Sequence, residues 1–186
     1  MHPSVARLVE LMPPQAGAGD VVDWGQAEQR WGRLPSDYRD FVTVYGGGTI
    51  NNSLYIGVPF ETPTEAGSAL SLSELTLDGL ALLGPDPSDL PPEVTRRISW
   101  ATDCSADHAF WDTADADPDK WTVLVLERHG EWVHYDCGMA DFLAGFVTGG
   151  IHDAMGGFDP DGPVFLHARE EHRLRETGVD PWLRSS

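Results

Sequence analysis

Between Asp23 and Gly48 the chain reads DWGQAEQRWGRLPSDYRDFVTVYGGG, which predicts two helices joined by a short corner. Asp23 is placed to cap the first helix, and Gln26, three residues on, can close a capping box. Ala27, Arg30 and Trp31 turn along one side before Gly32 stops the helix. Leu34-Pro35 restarts the chain, because the N–H that proline lacks is needed least at a helix entry. Tyr38, Phe41, Val42 and Tyr45 follow at spacings of three and four and share one face. Gly46, Gly47 and Gly48 end this helix and allow a tight reversal into a strand. Every feature here is structural, and none forces a catalytic residue type.

From Ile98 the periodicity changes to two, predicting strands at Ile98–Cys104, Ala109–Thr113, Trp121–Arg128 and Glu131–Cys137. Val123 and Val125 point one way and Leu124 and Leu126 the other, so that strand is expected to be covered on both faces. His129-Gly130 reads as a two-residue hairpin. A helix follows from Met139 to Gly149, with Phe142, Leu143, Phe146 and Val147 on its apolar side. Earlier, Thr49-Ile50 and Leu54–Val58 read as strands around an Asn51-Asn52 turn.

The remaining segments are less regular. Pro3–Met12 predicts a first helix with Val5, Leu8, Val9 and Met12 on one side, and Pro13-Pro14 ends it. The small-residue linker Gln15–Gly19 suggests that this helix docks loosely. Residues 59–93 hold many leucines and then four prolines, and are expected to form an irregular surface excursion. The tail offers a turn at Asp159–Gly162, a strand at Val164–Leu166 and a polar helix at Ala168–Thr177 with few apolar anchors.

The charge narrows the range of partners. Twelve basic against thirty acidic residues leave a net −18. From Asp40 to Thr95 there are eight Asp or Glu and no Lys or Arg. Asp103, Asp107, Asp112, Asp115, Asp117 and Asp119 then follow with no basic residue among them. Such a surface repels nucleic acid phosphate and anionic lipid, and attracts a basic protein. Solubility alone is the plainer account of the same charge. No apolar run approaches the roughly 18 residues of a membrane span, and the first fifteen residues lack a signal peptide's charged start and apolar stretch. The expected location is the cytoplasm, where Cys104 and Cys137 stay reduced, read as buried free thiols in strands.

The chemistry-bearing residues form no catalytic pattern. His167 and His172 are five apart, so on a helix they diverge, and they are read as part of a solvated helix. Asp115, Asp117 and Asp119 open like a calcium loop, but Lys120 stands where Gly belongs and Leu126 where Glu belongs, so an Asp-rich turn is the preferred reading. No metal or other cofactor is expected. Neither a G-x-S-x-G elbow nor a phosphate loop is present. His134 and Cys137 are three apart on one strand and face opposite sides. Asp112 and Asp136 are candidates for a carboxylate pair across strands, and Trp111, Trp121 and Trp132 are read as core.

Trp24, Glu28, Gly32, Leu34, Pro35, Tyr38, Phe41 and Gly46 together form a pattern that resembles the SMI1/KNR4 (SUKH) superfamily. Later elements follow the same order: Phe110–Thr113, an Asp-Pro-Asp-x-Trp corner at Asp117–Trp121, a Val-rich strand, a Tyr-containing strand and a Phe-Leu helix. The likeness spans about residues 22–150, and departs from the family in the insertion at 59–93 and the C-terminal extension at 151–186. It implies one SUKH-like domain over residues 1–186, with the 3–12 helix added in front. Bacterial members of the superfamily are mostly immunity proteins against polymorphic toxins.

The combined expectation is an α+β fold, a mainly antiparallel sheet with helices packed on one face. The expected function is non-enzymatic binding of a protein, a cationic toxin or nuclease, with no nucleic acid and no membrane. Asp112, Asp115, Asp117 and Asp119 are the candidate contact residues, with Glu61 and Glu65 nearby if the insertion folds over. The alternatives are a regulatory scaffold without a toxin, or an enzyme that uses the carboxylates.

Overall fold

A computed structural model describes residues 1–60, 69–84, 86–151, 155 and 162–183. Three helices come first: α1 (Pro3–Leu11), α2 (Trp24–Trp31) and α3 (Ser36–Val44). Strands β1 (Gly48–Ile50) and β2 (Leu54–Ile56) follow, then helix α4 (Leu72–Ala81) and a single helical turn, α5 (Pro92–Thr95). Strands β3 (Ile98–Asp103), β4 (His108–Asp112), β5 (Thr122–Leu126) and β6 (Trp132–Tyr135) form a meander. Helix α6 (Met139–Val147), strand β7 (Phe165–His167) and helix α7 (Ala168–Glu176) complete the fold. The sheet order is β6-β5-β4-β3-β2-β1-β7, and each neighbouring pair is antiparallel. The molecule is therefore an α+β protein.

Alternation sorts side chains to the two faces of the sheet. Val123 and Val125 join the larger core cluster, and Leu124 and Leu126 the smaller one, as their spacing predicts. On the first face lie α1, α3 and α6. Tyr38, Phe41, Val42 and Tyr45 are wholly buried there, with Phe142, Leu143 and Phe146. Tyr38 meets Trp111 edge-on at 4.9 Å, and Phe142 meets Trp100 at 5.9 Å, each pair worth about 1 kcal/mol beyond area burial. A bulge between Ser99 and Ala101 turns Trp100 and Ala101 together into this core. Asp37, buried in α3, accepts from Ala140 N at 2.9 Å and so caps α6, whose own N-cap is a glycine.

Several expectations are corrected. Helix α1 docks firmly: Val5, Leu8 and Met12 are fully buried, and Tyr45 Oη donates to Met12 O at 2.6 Å. The excursion at 59–93 contains α4, a regular helix on the second face of the sheet. Its signal was a Ser71–Glu74 capping box, and its buried stripe is Leu72, Leu75, Gly79 and Leu80. Leu77, 61% exposed, blurred that stripe. Gly79 lets the helix backbone approach the sheet, since an added Cβ would stand 2.6 Å from Phe110. Residues 61–68 and Pro85 of this segment, and the Asp159–Asp161 part of the expected tail turn, lie outside the described residues.

Between β5 and β6 the bonded residues Glu127 and Glu131 enclose a loop of three residues, Arg128–Gly130, rather than two. Glu127 N donates to Glu131 O at 2.9 Å and Gly130 N to Glu127 O at 2.7 Å, with Gly130 at φ 88°. This is a bulged hairpin loop, and it needs glycine at the left-handed position. Cys104 lies just past β3 and is exposed, not buried. Cys137 follows β6 and is half-buried, and burial pushes its thiol up to about 11.

Candidate functional site

The β4–β5 loop packs its carboxylates against the corner between α2 and α3. Gly32, at φ 73°, turns the chain out of α2, and Arg33 then reaches across the corner. Its guanidinium contacts Asp117 Oδ1 and lies 3.3 Å from Asp119 Oδ2. Asp119 Oδ1 accepts from Ser36 N at 2.7 Å, supplying the cap that Pro35 cannot give α3. That bond to Ser36 holds the Asp119 carboxyl below its ordinary range, with Arg33 adding to the effect against the opposing pull of desolvation. Asp115 Oδ1 accepts from Asp117 N at 2.8 Å, and Asp115 O accepts from Trp121 Nε1 at 2.8 Å. The Asp-rich segment is thus a turn that builds structure.

Its outer side is an open groove of about 830 Å³, lined by Trp31, Arg33, Asp115, Asp117, Asp119 and Trp121 among others. Asp117 and Asp119 keep 42% and 43% of their side-chain surface exposed, so both still face solvent beside Arg33. The indoles are fixed by their N–H groups, Trp121 on Asp115 O and Trp31 on Pro59 O at 3.2 Å. Carboxylates between half-exposed indoles suit a lysine or arginine side chain, whose stem packs on the rings while its head meets the charge.

The other predicted contact residues lie elsewhere. Asp112 lines a separate hollow of about 210 Å³ with Glu93, Arg96 and Arg97. It forms no pair with Asp136, because β5 lies between their strands. Glu61 and Glu65 are outside the described residues. Trp111 is core, as expected, whereas Trp121 and Trp132 are partly exposed. Arg33, Trp31 and Ser36 were not predicted for the site. Leu34-Pro35 marked the uncapped helix start, but nothing local announced a partner more than eighty residues away.

Two buried polar groups could be mistaken for catalysts. Ser99 Oγ lies 3.3 Å from His108 Nδ1 beneath α4. Both residues are buried, and Ser99 Oγ also faces the carbonyls of Ala101 and Ala109. Burial lowers the His108 pKa, against the opposing pull of Asp78 and Asp107. An added Cβ at Gly79 would come within 3.0 Å of the imidazole, so α4 closes the approach. The pair packs the core; it does not present a nucleophile.

His167 is the second case, and it corrects the solvated-helix reading. It ends β7 and caps α7, its Nδ1 accepting from Arg169 N at 3.0 Å. Its Nε2 lies 3.2 Å from Asp20 Oδ1, which also takes Arg169 Nη1 at 2.6 Å. Asp20 Oδ2 accepts from Gly47 N at 2.9 Å. Desolvation pushes the Asp20 pKa up, but these hydrogen bonds and charges outweigh it and hold the carboxyl below its ordinary range. Gly46 is at φ 73°, and an added Cβ would stand 2.5 Å from the imidazole, so the first glycine of the run makes room for this knot. Asp20 thereby ties the N-terminal linker to β7.

Among the described residues, no group of three or more His, Cys, Asp or Glu is arranged to hold a metal ion, and no helix is long and apolar enough to cross a membrane. Fold and groove together define an α+β protein with one antiparallel sheet and an acidic, indole-walled groove beside its β4–β5 end. No family model, curated protein or solved structure matches the chain.

Proposed function

We propose that this chain is a non-enzymatic protein-binding module that captures a basic protein through its acidic surface. In keeping with the SUKH resemblance, the reading extends to an immunity protein acting in the cytoplasm. It would neutralise a cationic toxin, such as a nuclease, by direct binding. The observation that carries the reading is the groove in which Asp115, Asp117 and Asp119 lie between Trp31 and Trp121. The net −18 supports it, because a strongly acidic surface speeds encounter with a cation-rich partner.

The test is co-expression with the product of a neighbouring toxin gene, read as growth, followed by capture of the two purified proteins. Rescue with a one-to-one complex, weakened by Asp115→Lys, is the expected result. Absence of any complex would overturn the reading. So would turnover on a panel of hydrolase substrates that Asp112→Asn abolishes.

A further inference from the structure

We propose that the outer edge of β6 is a docking site for an extended basic segment of the partner protein, which adds to the sheet as an eighth strand. This rests on the binding-module reading and specifies a surface for it. The sheet has two edges, β6 and β7. All three residues of β7 are buried, whereas none of the four in β6 is. Among the described residues, no strand lies outside β6.

The ladder shows which groups are available. Glu127 and Glu131 are bonded across the hairpin, and Val133 lies opposite Val125. Alternation then turns the N–H and C=O groups of Trp132 and His134 away from β5. Natural sheets blunt such edges with lysine, proline or a bulge. The segment Trp132-Val133-His134-Tyr135 contains neither residue, and its register with β5 is unbroken. The edge is also held in place. His134 Nε2 lies 2.9 Å from Thr122 Oγ1, and the Arg97 guanidinium sits 4.4 Å above the Trp132 ring, which packs on Phe110. A template already fixed in shape loses little freedom when a strand adds to it.

Charge selects the occupant. Exposed Glu131 and Asp136 flank the four residues, and Asp141 stands in the first turn of the following helix. A second copy fits poorly. Two-fold antiparallel pairing has to match the outward groups of Trp132 and His134, so centred on Val133 it puts Glu131 of each copy opposite Tyr135 and next to Asp136 of the other, on chains that each carry −18. A strand with Lys or Arg at its ends and β-branched residues between them meets both the carboxylates and the half-exposed Trp132 and Val133.

The experiment follows the backbone amides of the full chain by NMR hydrogen exchange while a synthetic peptide, Lys-Val-Thr-Val-Thr-Lys, is added. Protection of the Trp132 and His134 amides by about tenfold or more is expected. The same peptide with Glu for Lys, or with a central Pro, should give none. In His134→Pro the ring replaces an outward N–H and leaves the β5 ladder intact, so the variant should fold, by circular dichroism, and lose the effect. Glu131→Lys with Asp136→Lys should weaken binding by about tenfold. Equal binding of the Glu peptide, or no protection at these amides, overturns the proposal. Protection that rises with protein concentration in the absence of peptide would assign the edge to a second copy and overturn it too. If a basic protein still binds while these amides stay unprotected, the edge fails and the binding-module reading stands. If no basic protein binds, that reading fails as well.

Discussion

Replacing Asp20 by alanine tests whether one carboxylate holds the two ends of the chain together. Its side chain is 4% exposed and accepts from Gly47 N, His167 Nε2 and Arg169 Nη1. Losing the acceptor strands the buried Gly47 N–H, at about 1–2 kcal/mol, and the buried imidazole N–H, at about 1 kcal/mol. Arg169 is 39% exposed and turns to water, so its share is about 0.5 kcal/mol. The sum is about 3 kcal/mol, below the upper range for breaking a buried pair because one partner is half-solvated. For a chain of 186 residues that lowers the melting temperature by about 6–12 °C. Urea unfolding of wild type and Asp20→Ala measures it, with Arg169→Ala expected to lose under about 1 kcal/mol. The pH dependence has a definite sign. A carboxyl held below its ordinary range contributes its stability above the unfolded-state pKa of about 3.9 and loses it as pH falls through the depressed value. The difference between wild type and Asp20→Ala should therefore be full at neutral pH and shrink in strong acid. A difference under about 1 kcal/mol at pH 7 would refute the reasoning.

Three further outcomes follow from the packing. Gly79→Ala should destabilise by about 1–2 kcal/mol in urea, because the clash with Phe110 outweighs the gain in helix propensity; a more stable variant would show that α4 can lift from the sheet. Asp119→Ala removes the cap at Ser36 and should cost about 1 kcal/mol, visible as faster amide exchange in the first turn of α3. With a thiol-reactive dye at mildly alkaline pH, exposed Cys104 should react at once and Cys137 slowly; equal rates would contradict the burial that raises the latter.

The parts of the fold that were legible are those where burial and periodicity coincide. Tyr38, Phe41, Val42 and Tyr45 point inward at helical spacing, and Val123 and Val125 alternate with Leu124 and Leu126, so both elements could be read from apolar positions alone. Helix α4 was hidden because Leu77 is apolar yet exposed, and because a glycine stands where a stripe should show a large side chain. Gly130 suits a two-residue and a three-residue hairpin loop equally well, so the sequence leaves the loop length open by one residue. At the site, the Asp-rich turn was legible from its own residues. Its clasp on Arg33 and Ser36 was not, because a contact across more than eighty residues leaves no local trace. The same holds for His167, whose role depends on Asp20 at the other end of the chain. That β6 is an edge strand among the described residues depends on strand order, which alternation alone does not specify.

The most direct test of the binding claim is the association rate of this chain with a cationic nuclease toxin, followed by stopped-flow fluorescence from low to high salt. Half-exposed Trp31 and Trp121 in the groove provide the signal. The account predicts fast association that slows steeply as salt rises, and slower association for Asp115→Lys at every salt concentration. A rate indifferent to both salt and that substitution would contradict it.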